Sequence, residues 1–185
     1  MTKSYEEIEN KYLIKNGNKV YFTPLLSKIY ESVHALEYKI SEEGIVIIQG
    51  YLPKEKGLEL VLKSRLTLDK LDPNKIAEFR IRQEGTTCYF TIKTDEDNKR
   101  IEKTKIIQKS IFGLYWDYTK GLRVEKKRLK QKMGRHMLEF DLYTDRPNLI
   151  VAEVEFKTLT ESKNFEPLGL DITADKTFKN KNLAK

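Results

Sequence analysis

The feature that most constrains this chain is an alternation of charge and apolar side chains with a period of two. Near the start, Glu7-Ile8-Glu9-Asn10-Lys11 places carboxylate, carboxylate and ammonium at every second position. On a β-strand, residues two apart share a face. Glu7, Glu9 and Lys11 then point one way, with Ile8 and Tyr12 on the other side. The same spacing recurs along the sequence. Arg80 and Arg82 flank Ile81, and Lys126 and Arg128 share a face. Glu139 and Asp141 lie opposite Leu138, Phe140 and Leu142, and Glu153 and Glu155 lie opposite Ala152, Val154 and Phe156. The repetition predicts about eight antiparallel strands in a closed or nearly closed sheet.

Composition supports a folded chain with anionic partners. The 185 residues suit one domain, and 39% hydrophobic with 10% aromatic residues is enough for a real core. Charged residues are 34% and the net charge is +7, a balance that favours phosphates, nucleotides, nucleic acid or a membrane surface. Cys88 is the single cysteine, so no intrachain disulfide forms. No apolar run reaches the roughly 20 residues of a spanning helix. Met1-Thr2-Lys3-Ser4 leads straight into charge and does not read as a signal peptide. The expectation is a soluble cytoplasmic protein with no membrane partner.

In order, residues 5 to 15 read as a strand and Asn16-Gly17-Asn18 as a turn. Leu25, Leu26, Ile29, Tyr30 and Val33 fall at helical spacing, which predicts an amphipathic helix from Pro24 to about Ala35. Glu42-Glu43-Gly44 breaks the chain before a strand over Ile45 to Leu52. Within 53–75, Leu58-Glu59-Leu60-Val61-Leu62 fits strand or helix, and Asp72-Pro73-Asn74 is a turn. Residues 76 to 84 alternate, with Ile76, Glu78, Arg80, Arg82 and Glu84 on one face or its edge. A hairpin turn at Gly85-Thr86-Thr87 leads into a strand from Cys88 to Thr94. Asp95-Glu96-Asp97-Asn98 is a turn before a strand over about 100–109. A short helix over 110–120 ends at Gly121. Strands follow over 122–131, 136–144 and 149–157, then short helices over 158–165 and 176–184.

A half-buried strand alternates by default, with its charged face in water. The predicted helices argue for the reverse arrangement. If they cover the apolar faces, the charged faces line the interior of a wide barrel. Charges there are costly unless paired with each other, with metal or with ligand. Carboxylates hold a hard cation and the cations hold phosphates. His34 and His136 are isolated and read as structural or exposed, so no Ser-His-Asp or Cys-His nucleophile is expected.

The motifs resemble the CYTH family, the triphosphate tunnel metalloenzymes. Glu7, Glu9 and Lys11 fit its Glu-x-Glu-x-Lys hallmark. Gln49-Gly50-Tyr51-Leu52, Arg80-Ile81-Arg82, Thr91-Ile92-Lys93, Lys126-Lys127-Arg128, Glu139-Phe140-Asp141 and Ala152-Glu153-Val154-Glu155-Phe156 follow in family order. So does the tail, from Pro167-Leu168-Gly169 through Asp171-Ile172-Thr173 and Asp175 to Asn180 and Leu183-Ala184. The resemblance implies an α+β fold, an eight-stranded antiparallel β-barrel with peripheral helices, over a single domain spanning 1–185.

It also implies Mg²⁺ or Mn²⁺ as cofactor. Glu7, Glu9, Glu102, Asp141, Glu153, Glu155 and Asp171 would belong to the metal set. Lys11, Arg80, Arg82, Lys93, Lys126 and Arg128 would grip phosphate, with Glu9 and Lys11 the catalytic pair. Three departures from the family stand out. Asp171 occupies a position where the family has Glu. Glu102 fits the first of two alternating glutamates, but Thr104 stands at the second. Residues 53–75 look like an insertion relative to compact members. The implied activity is metal-dependent hydrolysis of tripolyphosphate or a nucleoside triphosphate. The alternatives are a class IV adenylyl cyclase and a non-catalytic binder of triphosphate-bearing nucleotide or RNA 5′ ends. The partner is a triphosphate-containing small molecule, and the chain is a monomer or a homodimer.

Overall fold

The computed structural model describes residues 3–6, 8–66, 73–94 and 101–184. Glu7, Asp72 and the turn expected at 95–98 lie outside the described residues. In chain order the elements begin with β1 (Lys3–Glu6), β2 (Ile8–Asn16), β3 (Lys19–Val20), α1 (Pro24–Ser27), α2 (Val33–Glu43) and β4 (Ile45–Tyr51). Next come α3 (Lys54–Ser64), β5 (Ile76–Glu84), β6 (Thr87–Thr94), β7 (Ile101–Ile107) and α4 (Lys109–Trp116). The last are β8 (Arg123–Met133), β9 (His136–Tyr143), β10 (Leu149–Phe156), α5 (Leu159–Asn164), β11 (Leu170–Asp171) and α6 (Asn180–Leu183). The fold is α+β, a large antiparallel sheet with few helices, and its strand pairings among the described residues form an open path. No helix among the described residues is long and apolar enough to cross a membrane. The chain divides into two compact units, one from 1–7, 48–124 and 183–185, the other from 8–47 and 125–182.

In the first unit the strand order is β1-β7-β6-β5-β4. Phe79, Ile81, Phe90 and Ile92 form its apolar face, which packs with Leu60 and Val61 of α3 and Phe112 and Tyr115 of α4. The ambiguous stretch around Leu58 is therefore helix, and it contributes to the core. Gly57 makes the close approach possible, because a Cβ there would sit 2.1 Å from the Phe79 ring. Lys105 donates from Nζ to the carbonyls of Ser64 (2.6 Å) and Arg65 (3.1 Å), satisfying the end of α3.

One expectation on β5 is corrected. The register shifts between Ile76 and Glu78, so two residues there oppose one on β6. Ile76 consequently joins the apolar core instead of the charged face.

In the second unit the order is β8-β9-β10-β2-β11, with β3 on the far end of β2. Tyr12, Ile14, Leu138, Phe140, Ile150, Ala152 and Val154 form an apolar face that packs with Leu26 of α1 and Leu36 and Ile40 of α2. Here the single helix expected over 24–35 is corrected. It is two helices, because two caps compete for the segment. Thr23 accepts from the Leu26 N–H and starts α1, while Ser32 accepts from the Ala35 N–H and starts α2. α2 then runs on to Glu43, well beyond Ala35. The apolar residues still meet one core, since Leu25, Leu26, Tyr30, Val33 and Leu36 all belong to it. The strand expected over 5–15 is likewise two strands, β1 pairing β7 and β2 pairing β10.

Candidate active site

In each unit the sheet face opposite the helices carries the charge. In the second unit, β2 pairs with β10 so that Lys11 stands opposite Glu153 and Glu9 opposite Glu155. β10 in turn sets Glu153 against Glu139, and β8 sets Lys130 against Glu139 and Arg128 against Asp141. Lys11–Glu153, Lys130–Glu139 and Arg128–Asp141 set cation against carboxylate, while Glu9–Glu155 and Glu153–Glu139 set carboxylate against carboxylate. Arg128 is the hub. Its Nε and Nη2 donate to the two oxygens of Asp141, both at 2.6 Å, a bidentate pair. Nη2 also reaches Glu153 at 2.8 Å, and Nη1 pairs with Glu139. Lys126 donates to Asp141 at 2.5 Å, and Lys11 bridges Glu153 (2.7 Å) and Glu9 (3.3 Å).

The centre of this network is shielded from water, while Glu9 and Glu139 are half-buried and Lys130 is exposed. Asp141 is 0% and Lys126 2% exposed. Burial works against every charge here, and the partners decide the outcome. Burial opposes ionisation of Glu153, but Lys11 and Arg128 hold its pKa well below the usual carboxylate range. Burial likewise opposes ionisation of Asp141, and Arg128 and Lys126 still lower its pKa. Burial opposes the Lys11 charge, yet Glu153 and Glu9 raise its pKa above the ordinary value. For Lys126, burial and the neighbouring Arg128 prevail and lower it.

The first unit has a parallel but sparser arrangement. Glu78 stands opposite Lys93, which stands opposite Glu102. Arg80 stands opposite Thr91, which stands opposite Thr104. Glu102 pairs with Lys93 at 2.5 Å and Arg80 at 3.5 Å. Burial opposes its charge, but Arg80 and Lys93 hold its pKa down at about 2. Arg82 pairs with Glu84 at 3.4 Å and lies 5.1 Å over the Tyr89 ring.

The structure thus gathers Glu9, Lys11, Lys126, Arg128, Asp141 and Glu153 in the second unit, and Arg80, Lys93 and Glu102 in the first. Glu155 is exposed on β10. Asp171 is exposed on β11, where its carboxylate accepts from the Thr173 N–H at 2.8 Å. Glu7 lies outside the described residues. Sequence reasoning placed Glu139 on the right face but gave it no role, although its alternation with Asp141 was the available signal. Thr91 and Thr104, which carry no charge to mark them, also belong to this surface. Neither histidine does. His34 is exposed, and the His136 ring sits 5.3 and 5.4 Å from those of Phe156 and Phe165.

Among the described residues, no group of three or more His, Cys, Asp and Glu side chains is gathered to hold a metal ion. Glu9 and Glu155, directly opposed across β2 and β10, nevertheless suit a hard cation. Like charges so placed repel. Mg²⁺ is commonly held by one or two carboxylates together with water and substrate phosphate.

No family profile matches the sequence. The chain is 34% identical over 117 residues to an inorganic triphosphatase of Nitrosomonas europaea, covering 60% of this chain and 78% of that protein. The solved structure of the inorganic triphosphatase NE1496 is similar with a TM-score of 0.55 at 26% identity, over 97% of this chain and 95% of that one. A putative adenylate cyclase from Bacillus halodurans shares the fold alone, with a TM-score of 0.50 at 13% identity over 86% and 85% of the two chains. With this relative, these folds and the ordered charged motifs together, the chain belongs to the CYTH family of triphosphate tunnel metalloenzymes.

Proposed function

We propose that the protein is a divalent-metal-dependent triphosphatase that cleaves a phosphoric anhydride bond of tripolyphosphate or a nucleoside triphosphate. The observation that carries this reading is the charged lattice buried on the helix-free face of each unit. Charge at such density is costly to bury, and a solvated strand face has no use for it. A polyanion with its counter-cation is a partner that uses both signs. The relative named an inorganic triphosphatase supports the same chemistry. The closed eight-stranded barrel belongs to this proposal and rests on the family resemblance.

Glu9 and Glu155, with Glu7, would hold Mg²⁺ or Mn²⁺. When bound, the ion supplies a Lewis acid at a phosphoryl oxygen. The chain's own residues do the rest by positioning and electrostatics, which dominate phosphoryl transfer. Arg80, Arg82 and Lys93 bind phosphate oxygens, the arginines with a bidentate fork. Lys11 keeps its proton at neutral pH, because Glu153 and Glu9 raise its pKa. It therefore serves as a hydrogen-bond donor to the phosphoryl group and not as a base. Arg128, Lys126 and Asp141 lock Glu153, which in turn fixes Lys11. In this reading Glu153, Asp141 and Glu102 act through the cations they hold. Asp171 orders the turn beside β2.

The test is incubation with tripolyphosphate or ATP plus Mg²⁺ or Mn²⁺, resolving the products. Orthophosphate with pyrophosphate from tripolyphosphate, or orthophosphate with ADP from ATP, is expected. Cyclic AMP with pyrophosphate would instead mark a cyclase. Binding without any product would mark a non-catalytic receptor.

A further inference from the structure

The main chain of Lys11 is held from the segment that follows β11. Its carbonyl accepts from the Ile172 N–H at 2.9 Å, and its own N–H donates to Thr173 Oγ1 at 3.0 Å. In a strand the N–H and C=O of one residue point to the same side. Both groups of Lys11 face this segment, so Lys11 and Glu153 form a non-hydrogen-bonded pair across β2 and β10. Such pairs bring side chains together, in keeping with the 2.7 Å ion pair between them. In a continued ladder the Ile172 carbonyl would accept from the Lys11 N–H. That carbonyl instead accepts from the Asp175 N–H at 2.9 Å. The chain turns away from β2 here, and the Thr173 hydroxyl stands in for the missing carbonyl.

Asp171 fixes that hydroxyl. Its Oδ1 accepts from the Thr173 N–H at 2.8 Å, which closes an Asx-turn. A glutamate, one methylene longer, does not close the same ring, so aspartate at 171 has a structural reason. The segment is anchored on both sides of the turn. Leu168 is fully buried in the apolar core, Ile172 is buried, and a Cβ on Gly169 would lie 2.4 Å from the Leu13 carbonyl oxygen. Residues opposed across a ladder share a face. β11 sets Asp171 opposite Tyr12, which belongs to the apolar core, whereas Glu9 and Lys11 lie on the other face of β2. Resting on the triphosphatase reading, we infer that Thr173 and Asp171 are positioning residues for Lys11. The turn presents the Thr173 hydroxyl to the Lys11 N–H and so sets where the ammonium meets the phosphoryl group. Asp171 does this from outside the metal set.

Thr173→Val keeps the β-branched shape and removes the oxygen that accepts from Lys11. The expected result is a fall of about tenfold in kcat for tripolyphosphate with KM changed far less, the size of one lost hydrogen bond. The loss falls on kcat because Lys11 acts on the phosphoryl group in the transition state. Thr173→Ser restores the wild-type kcat. Asp171→Ala lowers kcat in the same way as Thr173→Val. Asp171→Asn keeps a side-chain oxygen for the Thr173 N–H and loses only the charge, so its kcat should fall less than that of Asp171→Ala. The Mg²⁺ concentration that gives half the maximal rate should stay at the wild-type value in all these variants. Thr173→Ala, compared with Thr173→Ser, repeats the test should the valine variant fail to fold. Wild-type kcat in folded Thr173→Val, or an equal loss in Thr173→Ser, would overturn the role of the hydroxyl. A raised Mg²⁺ requirement in Asp171→Asn, or a loss of rate there equal to that of Asp171→Ala, would overturn the role of the turn. Wild-type protein that does not cleave tripolyphosphate would instead overturn the triphosphatase reading and this inference with it.

Discussion

The two charged faces are built on the same strand logic but solve different electrostatic problems. In the second unit, Glu9, Glu139, Asp141, Glu153 and Glu155 are interleaved with Lys11, Lys126, Arg128 and Lys130, and one guanidinium touches three carboxylates. In the first unit, Glu102 binds both Arg80 and Lys93, Glu78 stands opposite Lys93, Glu84 pairs with Arg82, and the hydroxyls of Thr91 and Thr104 lie beside them. An excess of carboxylate suits a cation site, and guanidinium groups beside uncharged hydroxyls suit an anion site. The second unit also carries more buried, mutually dependent charge. Removing one member there should cost stability, whereas in the first unit it should cost mainly substrate binding.

The largest expected effect is acid unfolding led by the second unit. Glu153 and Asp141 have lowered pKa values there, and Glu102 sits at about 2 in the first unit. A carboxylate whose folded pKa lies below its unfolded value, about 4, stabilises the fold above that value. This stabilisation drains away as pH falls from there towards about 2. The ligand-free protein should lose stability steeply across that interval. Amide hydrogen exchange should show β8, β9 and β10 opening before β5, β6 and β7. Simultaneous opening of both sets would mean the two networks are equally acid-sensitive.

Next is Arg128→Met. It leaves Asp141, Glu139 and Glu153 without their shared cation in a buried setting, which costs about 3–5 kcal/mol. Urea denaturation should record a loss of that order. A loss under about 1 kcal/mol would mean the network relaxes around the missing guanidinium.

Much of this comparison was legible in the sequence, for a physical reason. A charge at every second position fixes which face a strand turns to the helices, and it located β2, β8, β9 and β10 along with the interior of β5. What failed was set by single hydrogen bonds or close contacts. The Ser32 cap splits the helix expected over 24–35, and no periodicity reveals it, because the apolar residues on both sides of the break reach one core. The irregularity between Ile76 and Glu78 shifts the phase of β5 by one residue. The stretch around Leu58 satisfies both periods, and in the fold it is the helix α3, which buries Leu60 and Val61 in the core that holds Phe79. Glu139 draws its place in the site from Arg128 and Lys130 across the sheet, which spacing along the chain does not encode, whereas Thr104 stands out in the sequence only as a departure from a glutamate position.

A smaller effect is expected from Glu9→Gln, which is nearly isosteric and removes one of the two opposed carboxylates. Activity should fall on the order of a hundredfold, as for loss of a metal ligand or its close support. The melting temperature should change little, because Lys11 retains Glu153 at 2.7 Å. Full turnover in this variant at ordinary Mg²⁺ would remove Glu9 from the metal set and leave the second unit with a purely structural network.

The smallest effect separates binding from stability in the first unit. Arg82 is only partly buried, its ion pair with Glu84 is 3.4 Å long, and it stacks over Tyr89. Pairs that are partly exposed contribute little to stability, so Arg82→Ala should unfold at nearly the wild-type urea midpoint. The guanidinium fork is lost, however, and a neighbouring lysine cannot reproduce its bidentate geometry. Affinity for a non-hydrolysable triphosphate should fall about tenfold by calorimetry, roughly 1.4 kcal/mol. Metal affinity, measured separately, should stay as in wild type, since Arg82 neighbours neither Glu9 nor Glu155 on its own strand pair. Arg82→Lys should recover only part of the loss, because it restores charge without the fork. Unchanged triphosphate affinity in Arg82→Ala would confine the anion grip to Arg80 and Lys93. An equal fall in metal and triphosphate affinity would mean that the charge on β5 is felt at the carboxylate pair, so that the division of labour between the two faces is not the one their compositions suggest.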